Sequence, residues 1–114
     1  MKTKVSRNDK GIYLVELSGA MDLYGTNEFK ELILKMIEKK AERFIISLKD
    51  VDNVNSSGLG ALIFVSSTLK KLECPLVIVA PEGPALHALE LTGLKGYFTI
   101  VPTLKEAAAL VEAG

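Results

Sequence analysis

The sequence predicts an α/β fold: a single domain over residues 1–114, built on one mixed, mainly parallel β-sheet covered by α-helices, in the order ββαβαβαβα. Three observations carry this. Residues 44–48 (FIISL) and 76–80 (LVIVA) are short, nearly continuous apolar runs rich in β-branched side chains, the composition of buried central strands. Between and before them lie stretches with helical periodicity. Phe29, Leu32, Ile33, Met36 and Ile37 fall at i, i+3, i+4, i+7 and i+8, one apolar stripe. Strands and helices then alternate, which requires parallel strands joined by crossover helices.

Taken in order, residues 3–7 read as a first strand, poor in apolar side chains and carrying Lys4, a pattern suited to a sheet edge. Asn8-Asp9-Lys10-Gly11 is a turn, and residues 12–18 are a strand with Tyr13, Val15 and Leu17 on one face. Residues 19–25 read as a connection containing Asp22, with the first helix starting at Thr26 or Asn27. A second helix is expected over residues 57–72. Residues 84–91 form a third, opened by Pro84 and closed by Gly93. Residues 97–101 read as the last strand, and residues 103–112 as a helix capped by Thr103.

Composition narrows the function. The 114 residues are 48% hydrophobic, enough for a core without a metal or disulfide staple. Fourteen basic and 14 acidic residues give a formal net charge of zero, which argues against nucleic acid as the direct partner. No apolar run approaches the roughly 20 residues of a membrane span. The first residues, MKTKVSRNDKG, lack the apolar segment of a signal peptide. With the lone Cys74, these features predict a soluble cytoplasmic protein with no membrane insertion.

The informative stretch is DNVNSSGLGAL, residues 52–62. Its adjacent hydroxyls admit three readings. Asn55, Ser56 or Ser57 can cap the second helix. A serine nucleophile needs a base and a group orienting that base, but the single histidine, His87, stands in PALHALEL with no sign of a triad, and the flanks are not G-x-S-x-G. The glycine–lysine–serine/threonine ending of a phosphate-binding loop is also missing. The third reading is a regulatory phosphate. At a helix N-terminus it meets unpaired N–H groups and the positive end of the dipole, while adding about −1.5 to −2 charges to the surface.

Asn-Ser-Ser-Gly-Leu-Gly, after a buried strand and before a helix rich in small residues, resembles the signature of STAS-domain proteins, and within them the bacterial anti-sigma factor antagonists. Leu17-Ser18-Gly19-Ala20-Met21-Asp22 resembles the family's strand-end Gly-x-apolar-Asp. Leu91-Thr92-Gly93-Leu94 with Phe98 and Ile100 resembles its C-terminal pattern. The resemblance implies a partner switch rather than an enzyme, with no metal and no cofactor of its own. The unphosphorylated antagonist binds an anti-sigma factor that is also a serine kinase, and sigma factor is released. Phosphorylation breaks the complex, and a serine phosphatase resets it. By position the phosphoacceptor is Ser56, with Asp22, Asn55, Ser57 and Gly58 as its neighbourhood. This sequence departs from the family at Asn55, where the motif has aspartate. A constitutive binder is one consequence of that departure, and a structural STAS scaffold or adaptor in a stress-signalling or transport assembly is the alternative role.

At 100° per residue, Leu59, Leu62, Ile63, Ser66 and Leu69 share one side of the second helix, the expected sheet side. Ala61, Phe64, Thr68 and Lys71 fall roughly opposite. Gly60, Ala61 and Phe64 are the expected partner-binding residues: the small Gly58, Gly60 and Ala61 let backbones approach closely, either to the sheet or to the partner, and Phe64 is an aromatic anchor or else a ring covered by a neighbouring element. Asp22 likewise reads either as part of the phosphosite or as a turn residue or cap.

Overall fold

The computed structural model describes residues 1–93 and 95–113, the side chain of Lys95 excepted. Five strands form one sheet in the order β1-β2-β3-β4-β5. They are β1 (Lys2–Arg7), β2 (Ile12–Met21), β3 (Arg43–Val54), β4 (Leu76–Val79) and β5 (Ile100–Val101). β1 pairs antiparallel with β2, and every other pairing is parallel. The helices are α1 (Leu23–Glu38), α2 (Ser56–Lys71), α3 (Pro84–Leu91) and α4 (Leu104–Ala113). The mixed, mainly parallel α/β architecture predicted from sequence is the one observed. Leu94, part of the C-terminal motif, lies outside the described residues.

Alternation along the strands divides the core in two. Val15, Leu17, Phe44, Ile46, Leu48 and Ile78 face α1, α2 and α3, where Phe29, Ile33, Leu62, Val65 and Leu89 close over them. Ile12, Ile45, Val77 and Val79 face the other way, against Ala107 and Val111 of α4. Burial of a large aliphatic or aromatic side chain contributes about 1.5–3 kcal/mol, so the first cluster holds the molecule together and α4 seals the reverse face.

Both long strands run further than sequence predicts. β2 reaches Met21 and β3 reaches Val54, paired in parallel up to the Met21–Val54 partners. Lys49, Asp50, Asp52 and Asn53 resemble a polar loop because they are exposed strand residues, and in this part of β3 only Val51 is buried. Register shifts between Glu16 and Ser18 and between Gly19 and Ala20 mark irregularities in β2. There Gly19 adopts a φ of +84°, which a side chain would resist.

Two helix starts and one strand depart from expectation. α1 begins at Leu23, not at Thr26 or Asn27, because Asp22 caps it. Its first turn carries exposed Leu23 and Tyr24, which give no amphipathic signal. Only Ile100 and Val101 form β5, and Tyr97 sits in a 3₁₀ turn instead. That ring is drawn back to α2: its hydroxyl is 2.6 Å from Ser67 Oγ and Lys70 Nζ lies 5.2 Å from its centroid. Thr103 caps α4 as expected, accepting from the Glu106 N–H at 3.2 Å.

Candidate functional site

Met21 and Val54 are neighbours across the parallel β2–β3 pair, and each is the last residue of its strand. The chain turns into a helix at the next residue in both cases. Asp22 Oδ1 accepts from the Gly25 N–H at 2.6 Å, and Asn55 Oδ1 accepts from the Gly58 N–H at 2.9 Å. Asp-Leu-Tyr-Gly and Asn-Ser-Ser-Gly are thus the same corner built twice, side by side, with α1 and α2 starting together at one end of the sheet.

Of the three residues able to cap α2, Asn55 does so. Ser56 becomes the first helical residue and is exposed; Ser57, the second, is half-buried. The Gly58 and Leu59 N–H groups are taken by the Asn55 side chain and carbonyl. Those of Ser56 and Ser57 have no protein acceptor among the described residues, nor has either hydroxyl a partner. Gly58 lets this turn settle onto the strand ends. A Cβ there would stand 2.8 Å from Met21 Cβ, 3.2 Å from Met21 Sδ and 3.3 Å from Val54 Cγ1.

Asp22 serves as the α1 cap, and its other oxygen lies 3.6 Å from the Met1 ammonium. Its carboxyl is held below the usual aspartate range chiefly by the Gly25 N–H. Partial desolvation opposes this, and the Met1 ammonium adds to it. The two corners therefore differ electrostatically. A carboxylate offsets the positive end of α1, whereas the neutral Asn55 amide satisfies a donor on α2 and leaves the dipole uncompensated.

A shallow cleft between α2 and α3 adjoins the corner, lined by Val54, Asn55, Ser56, Leu59, Ala88 and Thr92. His87 lies on the exposed face of α3, and neither serine hydrogen-bonds to it. Among the described residues no group of three or more His, Cys, Asp or Glu could hold a metal ion. The constellation that activates a serine nucleophile is not assembled at this corner.

The second helix corrects one expectation. Ala61 is only 2% exposed and belongs to the core, so it presents nothing to a partner. The buried stripe is Gly58, Ala61, Leu62, Val65 and Leu69, rotated from the predicted one. A hydrophobicity pattern gives weight to Leu59 and Ile63, but the backbone approaches the core most closely at the small residues, and the larger pair lies half-buried on the flank. Gly60 is exposed, with no atom within 4 Å of where a Cβ would stand. Phe64, 42% exposed, lies in the groove between α1 and α2 beside Asn27, Lys30, Glu31 and Leu34. Lys30 Nζ stands 5.6 Å from its ring centroid, so the ring is partly covered by a cation and otherwise open.

Sequence reasoning missed Leu23 and Tyr24, 65% and 77% exposed in the first turn of α1. Two large apolar residues directly after Asp22 were the available signal. They follow the Asp22 cap directly and lie exposed where α1 begins.

Comparison with known proteins places the chain in a family. The STAS domain pattern matches residues 3–107, and the chain belongs to the STAS domain family. It is 25% identical over 95 residues to the anti-sigma-B factor antagonist of Staphylococcus aureus, covering 83% of this chain and 87% of that one. An anti-sigma factor antagonist from Mycobacterium paratuberculosis superposes with a TM-score of 0.87 at 28% identity, covering 97% of this chain and 93% of the other. The chain is also 30% identical over 114 residues to high affinity sulfate transporter 1 of Stylosanthes hamata, a match that covers 87% of this chain and only 17% of the transporter. No described helix is long and apolar enough to cross a membrane.

Proposed function

We propose that this protein is an anti-sigma factor antagonist acting in the cytoplasm, which binds an anti-sigma factor with serine kinase activity and is switched off by phosphorylation of Ser56. A serine phosphatase would restore the binding form. The observation that carries the proposal is the position of Ser56: exposed and unpartnered at the first position of α2, on a helix dipole that Asn55 leaves uncompensated.

Phosphate at this position meets free N–H groups, so the fold accepts it. A docked partner meets about −1.5 to −2 new charges beside Leu23, Tyr24, Gly60 and Phe64, and is repelled or left with poorly solvated charge. Asn55 departs from the family aspartate without obstructing this chemistry. It keeps the cap hydrogen bond and removes a negative charge that would repel the phosphate. Gly58 keeps the corner tight, and Ser57 and Asp22 frame it. Chemistry is assigned to the kinase, and this chain is its substrate, not an enzyme.

The test uses the purified anti-sigma factor kinase of the source organism with ATP, the wild type, Ser56→Ala, Ser57→Ala and Ser56→Asp. The expected result is one phosphate on Ser56, lost in Ser56→Ala and kept in Ser57→Ala, with the kinase complex abolished in Ser56→Asp. A complex indifferent to Ser56→Asp, with no phosphate transferred, would remove the switch and select the scaffold reading that the transporter match favours.

A further inference from the structure

At the end of the sheet opposite Ser56, where β3 begins at Arg43, an open cleft is lined by Arg7, Lys10, Gly11, Tyr13, Lys39, Lys40, Ala41, Glu42 and Arg43. Five basic side chains thus converge in a chain whose formal net charge is zero. We propose that this cleft is a binding site for a compact oligoanion carrying two or more phosphate groups.

Topology brings the cations together. Arg7 ends β1 opposite Tyr13, Arg43 opens β3 opposite Ile12, and Lys39 and Lys40 close α1 immediately before β3. Few of these charges are neutralised internally. Lys10 pairs with Glu112 at 3.0 Å, and Arg7 lies 5.8 Å from the centroid of the Tyr13 ring. Among the described residues, Arg7, Lys39, Lys40 and Arg43 have no carboxylate within ion-pair distance, although Glu42 shares the cleft. The carbonyl end of α1 accounts for some cation preference at Lys39. It does not account for Arg7 or Arg43, which lie on strands.

Lys40 adds a second observation. It holds a φ of +69°, the left-handed conformation that favours glycine at a helix end. The Ala41 N–H donates to the Met36 carbonyl at 3.0 Å and the Lys40 N–H to the Ile37 carbonyl at 3.0 Å, which fixes that turn. Glu73 holds the same conformation after α2, with a φ of +58°, so the turn does not itself call for a lysine; it fixes the place of Lys40 in the lining of the cleft. Tyr13 already stacks on Phe44, with centroids 6.2 Å apart, and carries Arg7. No free aromatic face remains for a nucleobase, so recognition falls on phosphate groups, for which arginine forks and lysine ammoniums are suited.

The source of the phosphates is either a free oligophosphate or clustered phospholipid headgroups. The probes are inorganic tripolyphosphate by titration calorimetry and vesicles of anionic phospholipid beside vesicles of neutral phosphatidylcholine by co-sedimentation. The variants are Lys40→Gly, whose turn glycine accepts without strain, and Arg43→Gln. Expected is saturable binding in one arm that weakens about tenfold in each variant, the loss of one charge-assisted contact, and falls with added salt. Tripolyphosphate binding alone assigns a free ligand; binding only to anionic vesicles assigns headgroups. Binding in neither arm, binding unchanged in both variants, or backbone amide shifts centred on Ser56 instead of Arg7, Lys40 and Arg43 would overturn the site. These outcomes are independent of the Ser56 switch.

Discussion

The close packing at Gly58 makes a prediction with an internal control on the same helix. In Gly58→Ala the new methyl group meets Met21 Cβ at 2.8 Å. Met21 Cβ is fixed to the backbone of β2, so it cannot swing aside as a side-chain end would. Val54 Cγ1 and Met21 Sδ crowd the same position at 3.3 and 3.2 Å. Overpacking of this kind costs about 1–3 kcal/mol. The preference of a helix for alanine over glycine returns at most about 1 kcal/mol. With that gain taken in full, the net expectation is destabilisation by up to about 2 kcal/mol, and a urea slope of about 2 kcal/mol/M lowers the midpoint by up to about 1 M. Gly60→Ala, two residues on, gains the same preference and meets nothing within 4 Å, so its midpoint rises. Urea titrations followed by far-ultraviolet circular dichroism measure both. If Gly58→Ala is as stable as Gly60→Ala, α2 does not rest on the strand ends and the geometry assigned to the Ser56 corner is wrong.

Other perturbations read the remaining parts. Asn55→Ala removes the α2 cap and lowers stability by about 1 kcal/mol, whereas Asn55→Asp keeps the hydrogen bond and gains about 0.3–1 kcal/mol at pH 7 from the dipole; chemical denaturation compares them. Asp22 is more acidic folded than unfolded, so its contribution is present above the ordinary aspartate pKa of about 3.9 and is lost as pH falls through its lower folded value. Asp22→Asn should accordingly flatten the acid limb of the stability–pH curve. Burial first, and the charge of Glu42 second, push the Cys74 thiol up. Its alkylation near pH 8 should be slower than that of a free cysteine, and faster in Glu42→Gln. Lys40→Gly should raise thermal stability by up to about 1 kcal/mol through relief of its positive φ, whatever it does to anion binding.

The fold was legible where one face of an element is buried and the other is not. The apolar runs 44–48 and 76–80 and the α1 stripe from Phe29 to Ile37 each identified an element correctly. Extents were less legible, because hydrogen bonding to a neighbouring strand leaves no mark on composition. Asp50 and Asn53 are polar, yet they pair with Ser18 and Ala20. At Asp22 the cap was one of the readings the sequence offers, and the structure adopts it. For the candidate site, the motif residues Asn55, Ser56 and Gly58 stand together at the start of α2. The orientation of α2 failed at Ala61 because periodicity weighs side-chain hydrophobicity, whereas small residues mark the closest backbone approach. Sequence predicts Tyr97 in a strand because nothing local reveals its partner, Ser67, thirty residues earlier.

The paired corners at Asp22 and Asn55 have a consequence for how the molecule responds to its medium. The attraction that α2 offers an anion at Ser56 comes from backbone amides, which neither gain nor lose protons across the physiological range, and among the described residues no lysine, arginine or histidine takes part in the corner's hydrogen bonds. A shift in pH about neutrality therefore leaves these amides unaltered. The group that titrates near neutrality would be the phosphate itself, whose second ionisation lies near pH 6. Acidification would then weaken the signal through the mark and not through the protein that bears it.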